Sequence, residues 1–240
     1  MPRNNYFQFK QFRIIQERSA MKVGMDGVLL GAWTDASGAE RILDIGTGTG
    51  LVSLMMAQKN SSALIDAIEI DPDAFQEAVL NTIQSTWYER IQIECISFQN
   101  FLERTGQKYD LIVCNPPFFA KRGLKAPDQN RAQARHSDSL PIEVLIPGAV
   151  KLLNTNGRIS LILPIENLAE INHQSIFNRL FVSRLCRIKP NPQKEDFRIM
   201  IELTRIERIV KESRLMIEFE KHHDYTPEYK ELTKDFYLKF

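Results

Sequence analysis

The chain has 240 residues, 43% of them hydrophobic and 25% charged, which is ordinary for a folded globular protein and excludes wholesale disorder. Its formal net charge is only +1, so any binding of nucleic acid must depend on a local basic patch. The three cysteines form no CxxC pair, and we therefore expect neither a metal site nor a disulfide framework. With no signal-peptide core and no apolar run of 18 residues, we expect a cytoplasmic protein that does not enter a membrane.

The order of the predicted elements indicates an α/β fold. Residues 1–40 resemble an N-terminal extension in which apolar side chains between Phe7 and Ile14 suggest a short strand or hairpin. From Arg41 onward, apolar runs alternate with helical periodicity, as βαβ units require. In chain order we predict strand 41–45, helix 51–58, strand 64–70, helix 72–85, strands 91–96 and 109–114, helix 142–153, strand 157–163, helix 167–180, and strands 181–188 and 197–206.

These elements predict a doubly wound, mostly parallel sheet. Only a Pro/Asn-rich connection separates the last two strands, which favours an antiparallel hairpin at one edge, and alternation over 215–219 suggests a further edge strand. No segment has the composition of an interdomain linker. We therefore predict a single domain over 1–240, with a core at 41–206 and a C-terminal extension at 207–240.

A glycine-rich turn follows the first strand of the core, where Asp44 precedes Gly46, Gly48 and Gly50 in the sequence DIGTGTG. Glycines let the backbone turn tightly and approach a ligand without a Cβ clash. The GxGxG spacing differs from the GxGxxG of dinucleotide-binding turns, and Asp44 would be a poor neighbour for a pyrophosphate. A carboxylate suits a cationic ligand better, which favours S-adenosylmethionine with its sulfonium and ammonium groups.

The ends of the next two strands supply candidate contacts for a nucleoside. Glu69 can accept hydrogen bonds from both ribose hydroxyls, with Asp71 as a poorer substitute. Ser97 and Phe98 follow the third strand, at the position where the adenine of such a nucleoside would lie, and the sequence offers no acid there. Ser97 could hydrogen-bond weakly there and Phe98 could stack on the adenine, although ordinary loop and core roles are equally open.

The fourth strand ends in Asn115-Pro116-Pro117-Phe118, at the edge where ligands bind in open α/β sheets. The prolines lack N–H donors, so the Asn115 side-chain oxygen and the Pro116 carbonyl can both accept from one NH₂ group. That arrangement keeps the nitrogen lone pair available to attack a methyl sulfonium, while Phe118 offers a face for a planar base. Catalysis would then depend on positioning and placed acceptors, and no charged general base is needed.

Taken together, DIGTGTG and NPPF are similar to the amino-group methyltransferases that act on adenine N6 or on protein glutamine. Two more specific segments, MKVGMDGVLLGAW over 21–33 and ARH over 134–136, resemble the tRNA1(Val) adenine-37 N6-methyltransferase family. The resemblance runs over nearly the whole chain and implies a Rossmann-like class I methyltransferase fold with a seven-stranded sheet. It also implies a monomeric enzyme that forms N6-methyladenosine in the anticodon loop of a tRNA.

The same resemblance implies that Lys22, Gly24 and Asp26 lie near the methionine part of the cofactor. An ion pair at the surface before a helix is the other interpretation of Lys22 and Asp26. Basic residues concentrate in segments 3–22, 121–136 and 184–198, where they could contact RNA phosphates or simply face solvent.

Three other functions share part of this sequence pattern, and each meets an objection. A glutamine N5-methyltransferase acting on a translation release factor would use the same NPPF chemistry, but such enzymes usually carry a helical N-terminal domain, and roughly 40 residues precede the glycine turn here. An NAD-type dehydrogenase conflicts with the glycine spacing. A catalytically inactive RNA-binding module has no support, because NPPF is intact.

Overall fold

The computed structural model describes residues 5–116 and 140–240. Its main element is an eight-stranded sheet. A separate hairpin of β1 (Tyr6–Gln8) and β2 (Arg13–Ile15) precedes it. The strands of the main sheet are β3 (Arg41–Ile45), β4 (Leu64–Glu69), β5 (Ile91–Cys95), β6 (Tyr109–Cys114), β7 (Leu153–Pro164), β8 (Phe181–Lys189), β9 (Arg198–Thr204) and β10 (Lys211–Met216). The helices are α1 (Met25–Trp33), α2 (Leu51–Lys59), α3 (Pro72–Ile83), α4 (Phe98–Arg104), α5 (Ile142–Leu152), α6 (Leu168–Phe177) and α7 (Pro227–Thr233).

The strand order is β5-β4-β3-β6-β7-β9-β8-β10. Strands β5, β4, β3, β6 and β7 are parallel, and β9 lies antiparallel between β7 and β8, so the predicted mostly parallel sheet with an antiparallel hairpin is confirmed. The predicted count of seven strands is wrong, because β10 pairs in parallel with β8 as an eighth strand. The further edge strand suggested over 215–219 overlaps β10 only at Leu215 and Met216, because the first four residues of β10 are exposed and show little apolar periodicity.

Helices cover both faces of the sheet, so successive residues of a central strand enter opposite cores. On β3, Ile42 packs in the cluster formed with α1 and α2, whereas Leu43 packs in the cluster formed with α4 and α5. Helices therefore cover both faces, and in open α/β sheets of this kind ligands bind at the edge where the parallel strands end. Within residues 5–116 and 140–240, no helix combines the length and the apolar character that a membrane crossing requires.

The N-terminal hairpin packs against the end of the chain. Phe9 and Phe12 are buried and their ring centroids lie 4.7 Å apart, while Phe9 also stacks on Tyr237 at 5.9 Å. The backbone N–H of Lys10 donates to the Phe236 carbonyl at 2.8 Å. These two phenylalanines are therefore core residues.

Candidate active site

Three parts of the site predicted from the sequence lie at the carboxyl edge of the parallel strands. In the sheet register, Ile45 at the end of β3 pairs with Ile68 of β4 and with Cys114 of β6. The glycine turn follows β3, Glu69 ends β4, and Asn115 follows β6. Neighbouring parallel strands thus bring the turn, the acid and the amide to one edge, as the sequence predicts.

The glycine turn is held in a conformation that leaves its backbone open. Gly46, Gly48 and Gly50 have φ values of 70°, 59° and 85°, in the left-handed region that disfavours other residues. The backbone N–H of Gly46 donates to the Ile68 carbonyl at 2.9 Å, which fixes the turn to β4. Among the described residues, no heavy atom beyond the glycine and its two chain neighbours lies within 4 Å of the position that a Cβ would take at Gly46 or Gly48, so these residues leave room for a ligand to approach both.

Asp44 is buried directly beneath this turn, with 1% of its surface exposed. Its Oδ2 accepts hydrogen bonds from the hydroxyls of Thr47 and Ser53, both at 2.7 Å. Burial raises the pKa of the carboxyl to about 6, although the two hydroxyl bonds lower it. None of the ion pairs among the described residues includes Asp44, so a cationic ligand would relieve a real electrostatic cost.

Glu69 is the acid that contacts the glycine turn. Its Oε2 accepts from the Gly48 backbone N–H at 2.8 Å, and its Oε1 accepts from the N–H groups of Ile70 and Asp71 at 2.9 Å each. Burial raises the pKa of this carboxyl as well. The Asp71 carboxylate instead caps the first turn of α3, which separates the two acids in role.

Asn115 is half-buried and Pro116 is buried at the end of β6. The first turn of α1 lies directly beside the amide: a Cβ added to Gly27 would stand 3.8 Å from Asn115 Nδ2 and 3.0 Å from Leu51 Cδ2. The family-specific segment therefore lies beside both Asn115 and the start of α2. Pro117 and Phe118 lie outside the described residues, as does the ARH segment.

Comparison with known proteins agrees with this arrangement. The methyltransferase small domain family matches residues 26–182. A tRNA1(Val) (adenine(37)-N6)-methyltransferase from Trichodesmium erythraeum is 45% identical over 98% of this chain and 99% of its own length. One of the same name from Bacteroides fragilis is 43% identical over 98% of each chain. The chain belongs to this methyltransferase family.

Solved structures support the same fold at lower identity. A predicted O-methyltransferase from Agrobacterium tumefaciens superposes with a TM-score of 0.66 at 20% identity, over 88% of this chain and 96% of the other. A ribosomal protein L11 methylase from Lactobacillus delbrueckii gives a TM-score of 0.54 at 17% identity, over 75% and 77%. The predicted class I methyltransferase fold is confirmed.

In this methyltransferase, the family-specific residues are engaged by their own chain. The Lys22 ammonium donates to the backbone carbonyls of Gln16 and Glu17, the second at 3.2 Å. Gly24 is the N-cap of α1, in an extended conformation. The contacts of both residues with a cofactor stay predictions.

The Asp26 carboxylate lies in the first turn of α1 and accepts from Arg198 Nε at 2.9 Å. Asp26 therefore forms an ion pair, but the alternative of a surface pair of Lys22 with Asp26 is wrong, because the partner of Asp26 comes from β9 and Lys22 donates to backbone carbonyls. The predicted contact of Asp26 with the cofactor is untested. Sequence analysis placed Arg198 only in a basic segment, since no local pattern joins residues so far apart.

Ser97 and Phe98 belong to a helix that the sequence analysis missed. The Ser97 hydroxyl caps α4 by accepting from the Asn100 N–H at 3.2 Å. The Phe98 ring is buried against α5, where a Cβ on Gly148 would lie 2.5 Å from Phe98 Cε1. Both residues thus have structural roles, and their contact with the cofactor adenine remains a prediction.

A further residue missing from the sequence analysis links the glycine turn to the N-terminal hairpin. The buried Asn81 amide on α3 donates to the Thr49 carbonyl at 2.9 Å and to the Ile15 carbonyl at 3.0 Å, and it accepts from the Ile15 N–H at 2.7 Å. An asparagine at a buried helical position is the only local signal for such a bridge. It anchors the extension beside the candidate cofactor site.

Proposed function

We propose that this protein transfers a methyl group from S-adenosylmethionine to the N6 amino group of adenine 37 in the anticodon loop of tRNA1(Val). The observation that carries the proposal is the placement of Asn115 and Pro116 at the same sheet edge as an open glycine turn with two buried carboxylates. Near-full-length relatives at 43–45% identity carry the name of this activity.

The residues around the glycine turn fit the cofactor. S-adenosylmethionine supplies, when bound, an electrophilic methyl group on a positively charged sulfur. Gly46 and Gly48 would expose the backbone to it, Glu69 would accept from the ribose hydroxyls, and Asp44 would balance the positive charge. A pyrophosphate fits badly here, because two buried carboxylates adjoin the turn. Gly50 instead packs on α3 and would shape the turn.

Asn115 and Pro116 would prepare the acceptor. The amide oxygen and the proline carbonyl each accept one N–H of the exocyclic amine, which orients the group and reduces withdrawal of its lone pair into the ring. The nitrogen would gain the methyl group as its bond to the sulfonium breaks and leaves a neutral thioether, and the surplus proton would then pass to water, so the chain needs no general base at this edge. Preorganised acceptors of this kind typically contribute about two to three orders of magnitude in rate.

The acceptor base must leave its stack to reach Asn115, and a base in an anticodon loop does so at low cost. Basic residues at the same edge would contact the flanking phosphates; Arg187 and Lys189 lie near the end of β8 and Lys194 in the loop that follows. Such contacts would position the RNA without reading its sequence. We propose that the enzyme acts as a cytoplasmic monomer.

The test is transfer of labelled methyl groups from S-adenosylmethionine to an unmodified tRNA1(Val) transcript, followed by nucleoside analysis. A matched transcript carries guanosine at position 37, and a translation release factor serves as the alternative acceptor. Label in N6-methyladenosine that disappears with the guanosine transcript supports the proposal. Label on the release factor, or on tRNA irrespective of position 37, contradicts it.

A further inference from the structure

The Asp26–Arg198 ion pair joins two parts of the chain at the active edge. Arg198 opens β9 and pairs in the sheet with Pro164, at the carboxyl end of β7. Its Nε contacts Asp26 Oδ2 at 2.9 Å, and the side chains are 26% and 24% exposed. The guanidinium also donates to the Phe197 carbonyl at 3.1 Å and lies over the Phe197 ring at 5.0 Å. The pair is therefore partly desolvated and held from both sides.

Through Asp26 this pair fixes the first turn of α1, and that turn lies beside Asn115. Gly27, the next residue, leaves only 3.8 Å between its Cβ position and Asn115 Nδ2. The segment that leads into α1 is held separately, since the Val23 N–H donates to Gln16 Oε1 at 2.7 Å. The distance between helix and amide thus depends on how the first turn is anchored.

We propose that the Asp26–Arg198 pair positions the Asn115 amide for the acceptor amine, and that Arg198 is a positioning residue of the methyl transfer. This inference rests on the proposed function. The pair acts by holding α1 at one distance from β6, so that the amide keeps the orientation needed to accept an N–H. A displacement of about 1 Å at a reacting group can cost up to roughly a hundredfold in rate.

A second ion pair of the same chemistry provides a matched control. Arg41 and Asp66 also form an Arg–Asp contact of 2.9 Å, with side chains 34% and 19% exposed. This pair lies at the opposite edge of the sheet, near the starts of β3 and β4. Its removal should disturb stability in a similar way without altering the surroundings of Asn115.

The experiment compares Arg198→Ala, Arg198→Lys, Asp26→Asn and the double variant Asp26→Asn/Arg198→Ala with Arg41→Ala and Asp66→Asn. For each protein, kcat and KM for tRNA1(Val) are measured with saturating cofactor, and the affinity for S-adenosylmethionine is measured by calorimetry. We expect kcat to fall about tenfold in Arg198→Ala and Asp26→Asn, with partial recovery in Arg198→Lys. Cofactor affinity should stay within about threefold in the Arg198 variants, and the double variant should be no slower than the slower single variant, as for residues that act as one unit.

Each contrary result has its own meaning. Weaker cofactor binding with normal kcat would overturn the inference and assign Asp26 to the cofactor. A raised KM for tRNA in Arg198→Ala alone, with kcat unchanged, would overturn it in favour of a direct phosphate contact. Equal losses of kcat in the Arg41 and Asp66 variants would also overturn it, because they would show that the loss follows from lower stability in general. If the wild-type enzyme leaves tRNA unmodified, the proposed function fails instead.

Discussion

At the amino edge of the sheet, the half-buried carboxylates of Asp66 and Asp110 have partners, whereas at the carboxyl edge two buried carboxylates lack a cationic partner among the described residues. Asp66 is paired with Arg41 at 2.9 Å and accepts from the Tyr109 hydroxyl at 2.8 Å. Asp110 loses solvation by burial, but its hydrogen bonds from the Arg41 N–H and the Asn154 amide, together with the positive charge of Arg158, hold its pKa below the usual value.

Asp44 and Glu69 show the reverse. Their hydrogen bonds come from hydroxyl and backbone N–H groups, and burial still raises the pKa of both carboxyls. Hydrogen bonding without a counter-charge leaves part of the desolvation cost in place. The difference indicates that the amino edge is built for stability, whereas the carboxyl edge retains an unbalanced negative charge that a cationic ligand would complete.

The largest expected difference between the edges concerns their asparagines. We predict that Asn115→Ala lowers kcat for tRNA methylation by at least about a hundredfold, because it removes one preorganised acceptor at the reacting nitrogen. Cofactor affinity should persist. Asn154→Ala is the control, since its amide binds Asp110 at 2.6 Å at the amino edge. Single-turnover rates decide the matter, and near-normal rates in Asn115→Ala would refute the mechanism.

A matched pair of aspartates tests the charge. We expect Asp44→Asn to weaken binding of S-adenosylmethionine by at least about tenfold, or about 1.4 kcal/mol, since a single opposite charge at short range is worth a few kcal/mol in a partly buried site. S-adenosylhomocysteine, with its neutral sulfur, should lose less affinity. Asp66→Asn should leave both affinities unchanged. Calorimetric titration measures the affinities of the wild-type protein and the two variants for both ligands. Equal losses for the two ligands in Asp44→Asn would exclude a role for the sulfonium charge.

Two glycines with nearly the same backbone conformation separate local strain from ligand access. Gly38 and Gly46 have φ values of 68° and 70°, and both have open space around the Cβ position. Alanine at either site should therefore cost about 1–2 kcal/mol in the free energy of unfolding. Only Gly46→Ala should also weaken binding of the cofactor, because the alanine methyl group would enter the space for the ligand. Urea denaturation together with titration checks both parts, and a similar loss of affinity in Gly38→Ala would count against the site.

Much of the fold and part of the site could be predicted from the sequence because their signals are local. The glycine turn, Glu69 and Asn115 each follow an apolar run, and strand ends of a parallel sheet must share an edge. Helix α4 was missed because seven residues give too few turns for a clear periodicity, although Ser97 is a good N-cap. The Asp26–Arg198 pair joins residues 172 positions apart, and no pattern in one sequence encodes such a contact.

The pH dependence of the free enzyme follows from Asp44 with a definite sign. Its pKa in the folded chain, about 6, exceeds the ordinary value of 3.8, so its contribution to stability is fully present below about pH 3.8 and is lost as the pH rises through 6. The shift corresponds to about 3 kcal/mol at neutral pH. Asp44→Asn should consequently gain in stability relative to wild type between pH 4 and pH 7.5, as measured by urea denaturation. A constant difference across this range would contradict the assignment.

The most direct test of the unbalanced carboxyl edge is the number of protons released when the cofactor binds at pH 6, obtained by calorimetry in buffers of different ionisation enthalpy. A cationic ligand beside Asp44 lowers the pKa of a carboxyl that is about half protonated at this pH. We predict that S-adenosylmethionine releases up to about half a proton more than S-adenosylhomocysteine, and that this excess disappears in Asp44→Asn. An excess of zero in the wild-type protein, or an equal excess in the variant, would show that Asp44 does not meet the positive charge of the cofactor.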